Sequence, residues 1–111
     1  MNYKKILFTK VDKLLKGEYS VKEFSKDYYF FYLDELPDGI LTDDEFMFFG
    51  DIQEKLDWTD EDPDEVSRSY GWMNYKQYTE YVRRITEDFL QRGKYDFDKW
   101  GKIKSAILKE N

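Results

Sequence analysis

The chain is 111 residues long, which fits one domain and is enough to bury about two thirds of its unfolded surface. Charged residues make up 38% of it, but aromatic residues make up 20%, and a disordered chain carries few rings. With no cysteine and no histidine, the sequence excludes disulfides, thiolate nucleophiles, His-based triads and the usual zinc sites.

The apolar pattern recurs at helical spacing and nowhere alternates as a strand would. Residues 2–16 place Tyr3, Leu7, Val11, Leu14 and Leu15 on one helical face, with Gly17 as the stop. Ser20-Val21-Lys22-Glu23 is a capping box that opens a helix to about residue 36. Its main stripe is Val21, Phe24, Tyr28, Phe31 and Tyr32, while Tyr29, Phe30 and Leu33 fall outside it, so the helix is apolar on more than one face. Pro37-Asp38-Gly39 is a turn, and Thr42-Asp43-Asp44-Glu45 is a second capping box for a helix to about residue 58. There the predicted inner side is Phe46, Phe49, Ile52, Gln53 and Leu56, with Met47 and Phe48 pointing elsewhere. Residues 59–71 read as a loop, longer than the ~2–8 residues usual between bundle helices, with Pro63 able to start a helical turn through Asp64, Glu65 and Val66. Asn74 caps a helix over about 75–92 that Gly93 ends, and a last helix over about 97–109 carries Trp100, Ile103, Ile107 and Leu108. The expectation is an all-α single domain over 1–111, an antiparallel up-and-down helical bundle of four to five helices, its last helix packed across it.

The net charge of −6 is unevenly spread. Residues 34–65 hold fourteen acids and one base, Lys55, a net −13, while the remainder, with 17 bases and 10 acids, carries +7. Some of those acids suit the positive end of a helix dipole. That does not account for Phe46, Phe48, Phe49, Trp58, Tyr70 and Trp72, set in and beside the acidic stretch. Twenty-two rings exceed what a small bundle can bury, and exposed Tyr and Trp are enriched at protein interfaces. The candidate partner-binding residues are therefore Asp57, Trp58, Asp60, Glu61, Asp62, Asp64, Glu65, Tyr70 and Trp72, with Tyr29 and Phe30 secondary.

Other chemistries find little in the sequence. Asp60-Glu61-Asp62-Pro63-Asp64 begins like a calcium loop, but Glu65 stands where glycine should and Gly71 where the bidentate glutamate should. No phosphate-binding glycine loop is present, and the acidic balance opposes nucleic-acid binding. No apolar run approaches the ~20 residues that span a bilayer, and Ile6-Leu7-Phe8 is too short for a secretion signal. The expectation is a cytoplasmic, non-enzymatic chain, monomer or homodimer, with no cofactor, no metal, no nucleic acid and no membrane partner.

The order of these elements resembles a known pattern. A first helix leads to Gly17-Glu18-Tyr19-Ser20-Val21-Lys22-Glu23-Phe24, a second ends in an acidic turn, and Leu41-Thr42-Asp43-Asp44-Glu45 opens a third before an acidic loop and a late aromatic helix. Over roughly residues 3–92 this resembles the bacterial self-protective colicin-like immunity proteins of the colicin D immunity type, and the helical immunity proteins of contact-dependent inhibition. The resemblance implies a non-enzymatic inhibitor that binds the C-terminal domain of a cognate toxin, often a tRNase or other nuclease. An acidic adaptor or nucleic-acid mimic for a host DNA- or RNA-binding protein is the alternative, and a carboxylate enzyme or weak metal binder a third.

Overall fold

The structure, a computed structural model, describes residues 1–109, Phe97 through its backbone alone. Among these residues are six helices: α1 (Tyr3–Leu15), α2 (Val21–Phe30), α3 (Asp43–Leu56), α4 (Glu65–Ser69), α5 (Tyr75–Arg92) and α6 (Phe97–Lys109). The all-α helical bundle is as expected, its five long helices joined by the short α4 in the segment after Pro63, which Asp64 caps by accepting from the Ser67 N–H at 2.7 Å. Both predicted capping boxes form, Ser20 with Glu23 and Thr42 with Glu45, and Asn74 makes a third with Gln77. Gly93 closes α5 in the left-handed region at φ 71°, where a Cβ would be strained.

Helix α2 does not end cleanly. It runs on through a π-helical turn, Phe31–Glu35, in which the Leu36 N–H donates to the Phe31 carbonyl five residues back at 3.1 Å.

Helix α1 packs on α2 and α5, and α3 packs on the same two, which places α1 and α3 on the diagonal of a four-helix ring. Residue pairings give the directions. Lys10 meets Asp27 and Tyr3 meets Phe31; Tyr28 meets Phe49 and Tyr32 meets Phe46; Phe48 meets Phe89 and Ile52 meets Tyr78. Numbers rise on one helix as they fall on its neighbour, so consecutive members of the ring run antiparallel. Helix α6 packs on α5, held by Asp88, which accepts from Trp100 Nε1 at 3.1 Å and pairs with Lys99 at 2.6 Å.

The core is built from rings. Phe24, Phe31, Phe49, Tyr78 and Phe89 are buried as their spacing predicts. Helix α3 is turned relative to expectation. Phe46, assigned to the core, is 60% exposed, and Phe48, assigned elsewhere, is wholly buried. The cause is not local: α5 and α6 cover the Phe48 side, where its ring stacks on Phe89 at 4.3 Å and meets Trp100 edge-on at 5.8 Å. Two buried hydroxyls brace the same helix, Tyr28 donating to the Phe49 carbonyl and Tyr78 to the Ile52 carbonyl, each at 2.7 Å.

Candidate protein-binding site

The connection between α3 and α5 is pinched at its base. The Met73 N–H donates to the Trp58 carbonyl at 3.0 Å and the Asp60 N–H to the Met73 carbonyl at 3.1 Å. This bridge brings Trp58 and Trp72 together edge-to-face, centroids 5.9 Å apart. The excursion it closes is therefore an ordered lobe rather than a slack loop. Of the predicted residues, Asp57, Trp58, Asp60, Glu61, Asp62, Asp64, Glu65 and Tyr70 are exposed and Trp72 is half-buried. Tyr70 is the barest ring among the described residues, 76% exposed.

Two of these acids also serve the lobe itself. Asp62 pairs with Arg68 at 2.7 Å, while Arg68 Nε donates to the Pro63 carbonyl at 2.7 Å. Asp64 caps α4, and the Ser67 backbone N–H it accepts from holds its carboxyl below the ordinary range. Asp57, Asp60, Glu61 and Glu65 form no ion pair among the described residues.

Helix α3 extends this surface. It buries Phe48, Phe49, Ile52 and Leu56. At about 100° per residue, the opposite face carries Asp43, Phe46, Met47, Gly50, Glu54 and Asp57, all exposed or half-buried. That stripe leads from the turn before α3 to Trp58. Of the fourteen acids in 34–65, eleven are exposed, and among the described residues only Asp62 of these is ion-paired. Ion pairs tame the acids that turn inward. Asp51, 7% exposed, pairs with Lys55 at 2.8 Å and accepts from the Tyr81 hydroxyl. Glu45 pairs with Lys4 of α1.

The lysine-rich α1 lies diagonally across the bundle from this face, and Lys4 makes its one ion pair to the 34–65 acids among the described residues. From α6, Lys104 reaches the lobe: a Cβ on Gly71 would lie 3.4 Å from its Nζ. Burial, then the charge of Lys55, pushes the Lys104 ammonium below its ordinary pKa, against the pull of Asp51 and Glu54. Lys104 thus borders the acidic face without forming an ion pair to it among the described residues.

Asp27, Glu45 and Asp88 are each pushed up by burial, but adjoining cations outweigh this and hold them below the usual carboxylate range: Lys10, Lys4, and Lys99 with Arg92. Together with Asp64 these are carboxylates displaced downward, the opposite of what a general acid requires. Among the described residues no group of acids is arranged to hold a metal ion, and no helix is long and apolar enough to cross a membrane.

Sequence reasoning missed Glu54 and, beside Phe46, the apolar hollow bounded by Tyr32, Leu33, Leu36 and Leu41. The available signal was the pair of acids Asp43 and Glu54, three helical turns apart on one face with Phe46 between them. No family model matches the chain, and neither a curated protein nor a solved structure matches it.

Proposed function

We propose that this chain is an immunity-type inhibitor: it binds a basic domain of a cognate toxin, of the nuclease or tRNase class, and blocks it without chemistry of its own. The observation that carries the reading is the outward face of α3 and the lobe after it, where unpaired carboxylates and exposed rings share one surface. A nuclease site is basic because it holds phosphates. A surface rich in negative charge competes for that site and speeds encounter with it. Exposed Trp58, Tyr70 and Phe46 supply the desolvated contacts that slow dissociation, since association is steered by charge and residence is set by buried anchors.

Binding of this kind favours a preorganised surface, because ordering side chains on contact opposes affinity. The Trp58–Trp72 pair, the bridge beneath it and the tyrosine braces on α3 all fix the surface in advance.

The test is to titrate the chain with the C-terminal domain of the protein encoded immediately upstream, at several salt concentrations. The expected result is tight binding whose association rate falls about tenfold or more as salt is raised. Changing Asp57, Asp60 and Glu61 to Lys, three acids with no internal ion pair, slows association while leaving the melting temperature in place. An upstream product with no such domain, or no binding at low salt, rejects the reading. Capture of a host DNA- or RNA-binding protein in its place favours the adaptor alternative.

A further inference from the structure

From residue 27 to residue 54 the sequence contains no lysine or arginine. In the middle of that stretch the fold builds a groove of about 440 Å³, lined by apolar Leu33, Leu36 and Leu41, the rings of Tyr32 and Phe46, and the carboxylates of Asp38 and Asp43. A second hollow of about 360 Å³ shares Tyr32 and Phe46 with it and continues along α3 past Gly50 to Asp51 and Glu54. The two hollows meet at Tyr32 and Phe46 and together form a trough.

Two costly local choices shape this trough. The π-helical turn Phe31–Glu35 takes an extra residue per turn, leaving Leu33 exposed and Tyr32 and Leu36 half-buried along the wall. Such turns are rare in helices and concentrate at functional sites. Gly50 sits inside α3, where glycine is disfavoured. A Cβ there would lie 3.0 Å from the Tyr32 hydroxyl, so a side chain at this position would push the tip of that ring outward by a few tenths of an ångström. That ring is set by stacking on Tyr28, centroids 6.0 Å apart and planes 5° apart, and it abuts Phe46 at 6.5 Å.

We propose that this trough is the docking slot for a basic segment of the partner protein: an arginine or lysine lies over Phe46 between Asp38 and Asp43, and a neighbouring apolar side chain seats against Leu33, Leu36 and Leu41. The inference rests on the reading of the chain as a binder of a basic domain, and it names what that domain inserts. Charge complementarity selects the occupant. An apolar helix alone would desolvate Asp38 and Asp43 with nothing in return, which is unfavourable. A cation over an exposed ring between two carboxylates gains from both, and a guanidinium gains most because it is planar and weakly hydrated.

The probe is the pentapeptide acetyl-Leu-Arg-Leu-Arg-Leu-amide, titrated into the ¹⁵N-labelled full chain, beside the same peptide with citrulline for arginine. The expected result is saturable shifts concentrated at residues 31–46, about tenfold weaker binding of the citrulline peptide, and loss of binding in Phe46→Ser and in Asp43→Asn. Both side chains are exposed, so both variants stay folded, with melting temperatures within about 5 °C of the parent. Shifts centred on residues 57–72, no saturable shift, or equal binding of the citrulline peptide overturns the slot. So does a concentration-dependent dimer in sedimentation that Phe46→Ser abolishes, which would assign the trough to a second copy. The intact basic domain separates the two proposals: if wild type binds it and Phe46→Ser binds it equally well, the slot is wrong and the inhibitor reading stands, whereas no binding by wild type removes the inhibitor reading itself.

Discussion

Phe46 and Phe48 are two residues apart, chemically identical and opposite in fate, and substituting each by alanine measures the orientation of α3. Phe48 is fully buried, stacked on Phe89 and in contact with Phe8, Phe49 and Trp100 at centroid distances of 6.0, 5.0 and 5.8 Å respectively. Truncating a core phenylalanine costs about 3–5 kcal/mol, and ring pairs of this kind add about 0.5–1.5 kcal/mol beyond area, so Phe48→Ala belongs near the top of that range. At about 4 °C per kcal/mol for a domain of this size, the melting temperature falls by about 16–20 °C. Alanine is the best helix former, so the loss reports packing and not helix propensity. Phe46→Ala gives up a half-solvated ring that abuts Tyr32 alone among the ring contacts described, and it costs about 0.5–1 kcal/mol. Urea unfolding followed by circular dichroism reads both. Equal costs, or a larger one at position 46, would show that α3 presents its other face to the core, and the acidic surface assigned to it would dissolve.

The tyrosine braces are separately testable. Tyr28→Phe and Tyr78→Phe each delete a buried hydroxyl that donates to an α3 carbonyl, and each is expected to cost about 1 kcal/mol in the same urea assay. Acid stability follows from the carboxylates held low. Asp88, Glu45 and Asp27 bind protons more weakly folded than unfolded, so their contribution is complete above the unfolded values of 3.8 and 4.5 and is lost as pH falls through the lower folded ones. Unfolding free energy measured from pH 6 downward therefore declines from the ordinary carboxylate range, and Asp88→Asn, less stable at neutral pH, shows a shallower decline. Lys104→Met runs the other way. Burial disfavours its charged form, so removing that charge while keeping the stem raises the melting temperature at neutral pH.

What the sequence made legible is what neighbours in sequence decide. Ser20 with Glu23, Thr42 with Glu45, Gly17 and Gly93 mark helix ends through bonds that reach no more than four or five residues. Exposure of the lobe residues was legible too, since carboxylates at that density have nowhere to be buried. The orientation of α3 was not. Phe46-Met47-Phe48-Phe49 is an unbroken apolar run, and such a run offers the same hydrophobicity to several faces. Its face is chosen by Phe89 and Trp100, some forty to fifty residues away. Buried Asp51 was equally hidden, because the Tyr81 hydroxyl that makes it tolerable comes from another helix. The π turn after α2 left no mark in spacing, since it changes which residues face outward without changing where the helix stops.

The same residues connect stability to the proposed binding role. A surface that concentrates negative charge repels itself, and the fold must offset that repulsion elsewhere. Here the compensation lies directly behind the surface. Asp51, within the acidic segment, is turned inward and neutralised by Lys55, and Glu45 is tied to Lys4, so the charge that remains outward is charge the solvent can screen. Tyr28 of α2 and Tyr78 of α5 both hold the inner side of the α3 backbone, at Phe49 and Ile52, which steadies the outer stripe of Asp43, Phe46, Glu54 and Asp57. A basic partner meeting that stripe finds carboxylates and rings already placed, so little ordering remains for the encounter itself. Weakening the braces should therefore lower affinity chiefly through faster dissociation even though no brace touches the partner, whereas removing outward charge should act chiefly on association. That separation distinguishes a built docking surface from a merely acidic one.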